Sequence, residues 1–232
     1  MKRVILLFAA CVCLITMNPR SVQAQNRTYS NLPGAAVREK TETIDGIAAR
    51  IEDDILTESE VRELSSFQTL VDGKPKPRAE VIQELADQWI LRGEANTAKF
   101  SMPSKADLDR AYVQFVKQFP SADDFQRRCA AAGLSEAAVR RMLDQQLYLS
   151  RFIDYRFRPA AQISEKQIQT YYNDEFLPQL KQRGETVPPL EDVEETIREV
   201  LVQRDINDRA NKWLEETRSR LNIDVLPEAN AQ

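Results

Sequence analysis

The sequence predicts a mainly α-helical protein of several helices, with one small β-pairing between a strand near its start and a strand near its end. Apolar residues recur at helical spacing along most of the chain, and helix-capping motifs precede several of these stretches. The 232 residues include only 6 glycines, while residues that favour helices, such as Glu, Arg, Gln, Leu and Ala, are frequent. Alternation of period two, which is typical of strands, is confined to 47–52 and 222–226.

The first 24 residues have the three parts of a cleaved secretory signal. A positively charged start is followed by the apolar run Val4–Met17 and by Val22-Gln23-Ala24, which offers small residues where a signal peptidase reads the chain. The run is 14 residues long, shorter than the ~20 residues of a transmembrane helix. We therefore expect cleavage after Ala24, an exported protein and a flexible leader over 25–40. A retained anchor and a lipid anchor at Cys11 are the alternatives.

The domain predicted over 41–226 opens with a half-buried strand, Ile47–Glu52. Asp53 and Asp54 then turn the chain, a role in which short acidic side chains are common. No second long strand follows locally. We therefore expect 47–52 to pair with the distant stretch 222–226, which would bring the two ends of the domain together.

Capping motifs and breakers delimit the predicted helices. Thr57-Glu58-Ser59-Glu60 is a capping box, Ser104 and Ser164 open similar motifs, and Gly133 is placed to end a helix. The helices expected from these signals run from Thr57 to Asp72, from about 78 to 99, and over Ser104–Phe119, Ser121–Gly133, Ser135–Phe157, Ser164–Phe176 and Leu190–Leu221.

Two stretches near the end of the chain are expected to be irregular. Leu177–Pro189 contains Gly184 and a proline pair, and we interpret it as a connector. In the closing helix, 190–221, polar residues at 204, 207 and 211 blur the apolar stripe, so we expect a break or an exposed stretch there. Residues 227–232 form a tail.

The sequence contains no histidine. Its absence excludes the usual proton shuttle at neutral pH, the commonest metal ligand and the histidine-based nucleophilic triads. No GxxxxGK(S/T) phosphate-binding loop occurs either. We therefore expect no catalytic residues, no bound metal and no cofactor.

The charge balance argues against nucleic acid and anionic membranes as the main partners. Lys and Arg number 32 against 36 Asp and Glu, for a net charge of −4. Removal of the predicted signal leaves 29 bases against 36 acids, a net charge near −7. A negative chain of this kind is soluble and repels phosphate groups.

Three local features are interpreted as structural. Cys129, which would be the only cysteine of the mature chain, is expected to be a small buried helix residue, with a reactive thiol as the alternative. Lys74, Lys76 and Arg78 are expected to form a solvated basic loop. The acidic residues within Glu191–Glu195 suit the positive end of a helix dipole, and a metal site is the alternative there.

The order and spacing of these elements resemble the chaperone module of SurA-type periplasmic proteins, relatives of the substrate-binding arm of trigger factor. Four segments carry the resemblance, which extends from about 44 to 226: Ile47–Val61, Ala79–Ala95, Phe119–Arg158 with its run Ala131-Ala132-Gly133-Leu134-Ser135-Glu136, and Ile163–Phe176 with Tyr171-Tyr172.

The sequence departs from this family in one respect. The family usually carries a parvulin-type prolyl isomerase domain after the segment that corresponds to Tyr171–Phe176, and parvulin active sites use histidines. Here only 177–189 separate that segment from the closing helix. The resemblance therefore implies an ATP-independent periplasmic chaperone that binds unfolded exported proteins, outer-membrane proteins among them, and that is not an enzyme. A protein related to prolyl isomerases and a dedicated envelope assembly adaptor with one partner are the alternatives.

The long helix that starts at Ser135 has two apolar faces. Val139, Leu143, Leu147 and Phe157 fall on one side, and three aromatic residues fall on nearly the opposite side. A helix of this kind either lies between neighbours or presents one face to a ligand. The candidate peptide-binding residues are Tyr112, Phe119, Tyr148, Phe152 and Tyr155.

Overall fold

A computed structural model describes residues 45–228 of the chain. The predicted signal peptide (1–24), the predicted leader (25–40) and residues 229–232 of the predicted tail lie outside this range. The elements are β1 Ile47–Ile51, β2 Asp54–Thr57, α1 Glu58–Asp72, α2 Arg78–Thr97, α3 Lys105–Val116, α4 Ala122–Ala131, α5 Glu136–Phe157, α6 Glu165–Tyr171, α7 Leu177–Arg183, α8 Leu190–Arg218 and β3 Ile223–Val225.

The predicted fold class is confirmed, because the described residues are mainly helical and carry one small antiparallel sheet. The strand order is β2-β1-β3, with β1 in the centre. Ala49 lies opposite Val225 and Ile51 lies opposite Ile223, so the predicted pairing of 47–52 with 222–226 is also confirmed.

The expectation that β1 lacks a local partner was wrong. Asp54 and Ile55 begin β2, which pairs with β1 as an antiparallel hairpin. Glu52 adopts a φ of 50° at the turn, which lets the chain reverse within two residues. β2 is only 4 residues long, which is too short for an alternation of apolar and polar residues to be recognised in the sequence.

The basic loop is also different from the prediction, because two of its three side chains are structural. The Arg78 guanidinium forms an ion pair with Glu58, donates to the carbonyl oxygen of Leu226 at 3.0 Å and lies 3.5 Å from that of Ala48. It thus connects the start of α2 to the start of α1, to β1 and to the residue that follows β3. Lys76 pairs with Glu84 of α2 at 2.6 Å.

The sheet, α1 and α2 enclose the first part of the core. The Thr57 capping box that opens α1 is present, and Gly73, with a φ of 72°, ends the helix in the left-handed conformation. The regularly spaced apolar residues Val61, Leu64, Phe67 and Leu70 of α1 are buried. On α2, Val81, Ile82, Leu85 and Ile90 are buried and Trp89 is half-buried. Buried residues of this layer are Ala48, Ala49, Ile51, Leu56, Val61, Leu64, Val81, Ile82, Leu85 and Ala86.

Helix α5 lies at the centre of the helical layer, in contact with α2, α3 and α8. The closing helix α8 is continuous, so of the two alternatives, a break or an exposed stretch, the break is wrong. Ile206 and Ala210, which lie between residues 204 and 211, are buried. Arg204 pairs with Glu175 at 2.8 Å and stacks on the Tyr171 ring. Within residues 45–228 no helix has both the length and the apolar character needed to cross a bilayer.

The predicted connector 177–189 is partly helical. Leu177–Arg183 forms α7, which continues from α6 through a π-helical turn at Tyr172–Phe176. Pro178 is tolerated because it lies in the first turn of α7, where its missing N–H is not needed. Gly184, with a φ of 67°, ends the helix, and only the residues after it connect to α8.

A buried ion pair joins α2 to the last turn of α8. Asp87 is 2% exposed and pairs with Arg218, while its Oδ2 atom has no hydrogen-bond partner. Burial raises the pKa of Asp87 to about 6, because the loss of hydration disfavours its charged form more than Arg218 favours it. The carboxyl group is therefore ionised at neutral pH at a cost to the folded state.

We predict that Arg78→Gln lowers the free energy of unfolding by about 1–3 kcal/mol, because it leaves Glu58 and a carbonyl group without a partner. Arg62→Gln is the matched control, since Arg62 is exposed and lies 3.6 Å from Asp45. Its effect should stay within about 0.5 kcal/mol. Urea unfolding followed by circular dichroism measures both values, and equal effects would contradict the structural role of Arg78.

We predict that Asp87 gives the stability a defined pH dependence. The folded state holds the Asp87 proton more tightly than the unfolded state, so the contribution of this group is present at acid pH and is lost as the pH rises through about 6. Relative to Asp87→Asn, the wild-type free energy of unfolding should fall by about 2–3 kcal/mol between pH 4 and pH 7. Urea unfolding of both proteins across this range measures the wild-type free energy of unfolding minus that of Asp87→Asn. An increase of this difference with pH would contradict the prediction.

Candidate functional site

A groove of about 500 Å³ lies between α3 and α4, and the start of α5 contributes Glu136 to its lining. Its volume is in the range of small-ligand pockets, about 300–1,000 Å³. The lining is mostly apolar: Tyr112, Val113, Val116, Lys117, Ala122, Phe125, Gln126, Cys129, Ala130, Leu134 and Glu136. Two helices thus present adjacent faces that together accept a few apolar side chains.

The floor of the groove is the Phe125 ring, which a cluster of further aromatic rings supports from within the protein. Phe115 is 7% exposed and stacks on Phe67 of α1, with ring centroids 5.7 Å apart. Phe125 meets the rings of Phe115 at 6.1 Å and of Phe119 at 5.1 Å. These edge and tilted contacts fix the floor, because close-packed rings have few alternative positions.

Local capping positions the two walls. Ser104 opens α3 through a capping box with Asp107, and Ser121 opens α4 by accepting from the backbone N–H of Asp124. Arg151 of α5 donates to Asp107 at 2.9 Å. Hydrogen bonds from Arg151 and then Ser104 hold the pKa of the Asp107 carboxyl far below its usual range. Gly133, with a φ of 69°, then turns the chain from α4 towards α5.

Helix α3 is covered less than its apolar stripe predicts. Of the stripe from Leu108 to Val116, only Phe115 is buried, and Val113 is 50% exposed beside it. The remaining stripe residues are half-buried. The uncovered side of α3 is the wall of the groove.

The polar rim of the groove lies mainly at the start of α5. Arg140 places its guanidinium 3.6 Å from the centre of the Tyr112 ring and donates to Glu136 at 3.0 Å. Burial, and then the Glu136 carboxylate, raise the pKa of Tyr112. This arrangement holds Tyr112 against the groove as a neutral aromatic surface.

Cys129 lies in the wall of the groove and is 6% exposed. Burial, followed by the nearby Glu136 charge, raises the pKa of its thiol. The thiolate is the nucleophilic form, so a raised pKa gives a packing role rather than a reactive one. This agrees with the prediction of a small buried helix residue.

The five predicted binding residues fall into two separate clusters. Tyr112 lines the groove, and Phe119 supports its floor from the loop after α3 while the Arg128 guanidinium lies 5.6 Å from its ring. The other three surround Phe100, whose ring is 5.8 Å from Tyr148, 5.6 Å from Phe152 and 5.2 Å from Tyr155.

The second cluster is mostly internal. Phe152 is 1% exposed and Tyr148 is 6% exposed, with its hydroxyl donating to the Phe100 carbonyl oxygen at 3.3 Å. Of the two alternatives for the long helix, Tyr148 and Phe152 therefore show the first: α5 lies between neighbouring elements, which cover these two side chains. Tyr155 is 62% exposed and can be reached by a ligand.

Several groove residues were not predicted from the sequence. Val113, Phe125 and Leu134 were not among the predicted binding residues, although they line the groove. Val113 next to Tyr112 widens the apolar face of α3, and that widening was the one available signal. The position of α4 against α3 carries no sequence signature.

Two of the acidic residues at the start of α8, Glu194 and Glu195, take part in ion pairs. Glu194 pairs with Arg198 at 2.7 Å, and Arg198 also reaches Glu165 of α6 at 2.8 Å. Within residues 45–228 no group of three or more Asp, Glu, Cys or His side chains is placed to hold a metal ion.

No known protein family matches the sequence at the level of a family profile, and no curated protein matches it. One similar solved structure comes from work on the virulence factor PEB4 and the periplasmic protein Cj1289, described as two structurally related SurA-like chaperones of the human pathogen Campylobacter jejuni. The similarity covers 79% of this chain and 100% of that one, with 11% identity and a TM-score of 0.47. A likeness this distant assigns neither family nor function.

We predict that the two faces of the Phe100 cluster differ sharply in their effect on stability. Phe152→Ala should lower the free energy of unfolding by about 3–5 kcal/mol, since it leaves a cavity in the core. Tyr155→Ala should cost less than about 1 kcal/mol, since most of that side chain is in water. Urea unfolding measures both changes, and a small loss in Phe152→Ala would show that this ring is not a core residue.

Proposed function

We propose that the chain is an ATP-independent periplasmic chaperone that binds unfolded exported proteins, outer-membrane proteins among them, in the groove between α3 and α4. The observation that carries the proposal is an accessible apolar surface with a rigid aromatic floor, built around Val113 and Phe125.

The groove supports weak binding of many sequences. Its walls offer apolar contact to side chains of different shape, and Gln126 offers an amide that can donate to or accept from a peptide backbone. A groove that accepts only a few side chains gives modest affinity, so a client leaves without an energy source. The exposed Tyr155 is a second contact point in this proposal.

The test is suppression of aggregation by the purified mature chain, at near-stoichiometric ratios, with several unrelated unfolded outer-membrane proteins. Activity on all of them supports a general chaperone, and activity on a single one indicates a dedicated adaptor. Acceleration of slow X-Pro refolding, which takes tens of seconds uncatalysed, would indicate an isomerase instead.

We predict that Val113→Arg reduces the suppression of aggregation several-fold, because a charged side chain fills the apolar groove. Val225→Arg is the matched control, since Val225 is also 50% exposed and lies on β3. The control should keep the wild-type activity, and circular dichroism should show both variants folded. If the two variants behave alike, the groove is not the binding site.

A further inference from the structure

The charged groups at the rim of the groove differ in how well they are neutralised. Glu136 is paired with Arg140 at 3.0 Å. On the outer side of α4, Arg127 and Arg128 pair with Asp124 at 3.0 and 2.8 Å. Glu136 and Arg140 neutralise each other, whereas Arg127 and Arg128 share the single Asp124 carboxylate and are not among the residues that line the groove.

Lys117 differs from these groups. It lines the groove where α3 ends, and its side chain is exposed. Among residues 45–228 no carboxylate lies within ion-pair distance of its ammonium group. The groove therefore has an apolar floor, and Lys117 is the one Lys or Arg residue among those that line it.

We infer that the groove prefers unfolded segments in which a large apolar side chain lies within a few residues of a carboxylate. The apolar side chain occupies the floor over Phe125, and the carboxylate pairs with the Lys117 ammonium. This inference rests on the proposed function and specifies the chemistry of the client segment. The Lys117 ammonium is then a specificity determinant, while the apolar walls supply most of the affinity.

Lys117 also has a role that needs no ligand. It is the C-cap residue of α3, where a cation stabilises the negative end of the helix dipole. That role affects the stability of α3 and predicts no difference between acidic and neutral peptides. The comparison of two peptides therefore separates the two roles.

The experiment uses the mature chain and two fluorescently labelled ten-residue peptides with the same Leu and Val core. One peptide carries Glu beside the core and the other carries Gln at the same positions. Fluorescence anisotropy measures both dissociation constants for wild type, for Lys117→Gln and for Lys166→Gln. Lys166 is the matched control, because it is exposed on α6 and no residue of the described range forms an ion pair with it.

We predict that wild type binds the Glu peptide about two- to fivefold more tightly than the Gln peptide, the range of a solvent-exposed ion pair. Lys117→Gln should abolish this preference, and Lys166→Gln should keep it. High salt should shrink it in wild type, because the interacting charges are exposed to solvent. Melting curves of the variants report the capping role.

Two results overturn the inference while leaving the proposed function standing. One is equal binding of both peptides by wild type, and the other is a preference that persists in Lys117→Gln. In both cases the Gln peptide still binds and is weakened by Val113→Arg. If neither peptide binds and Val113→Arg leaves aggregation suppression unchanged, the groove is not where clients bind, and the proposed binding site and this inference fail together.

Discussion

The antiparallel pairing of β1 with β3 is the constraint on which the rest of the structure depends. It joins residues that are 172 to 176 positions apart in the sequence, and the bond from the Asn222 N–H to the Glu52 carboxylate extends this contact beyond the strands. The Arg78 guanidinium strengthens this closure by bonding to the backbone after β3 and to Glu58 at once. Because β3 directly follows α8, the pairing also fixes where the longest helix lies.

The position of α8 decides which apolar faces are buried. With α8 and α2 packed against α5, that helix is covered on both sides, and Phe152 becomes a core residue. The hairpin of α3 and α4 receives no such cover. It packs through Phe115 and Phe125 onto the end of α1 and the start of α5, and its outer side stays open. The groove therefore exists because the closing helix passes elsewhere.

Stability in this fold comes from a few buried contacts rather than from its many surface ion pairs. Exposed pairs such as Lys105 with Asp109 contribute little individually. The buried Asp87 works in the opposite sense, since its charged form is disfavoured by burial and its partner Arg218 offsets this only in part. The Asp87–Arg218 pair fixes the last turn of α8 against α2. It therefore contributes to the placement of α8 as well as to the free energy of folding.

The sequence by itself determined the helices that carry local signals and the pairing of the two strand-like stretches. The capping boxes at Thr57, Ser104 and Ser164 are interactions between residues three positions apart, so periodicity and residue type suffice to predict them. Only the tertiary structure decided that Arg78 is a clamp, that Tyr148 is internal and that Val113 faces a groove. These properties depend on which distant element covers a side chain, and an amphipathic helix has the same sequence pattern whether its apolar face meets another helix or water.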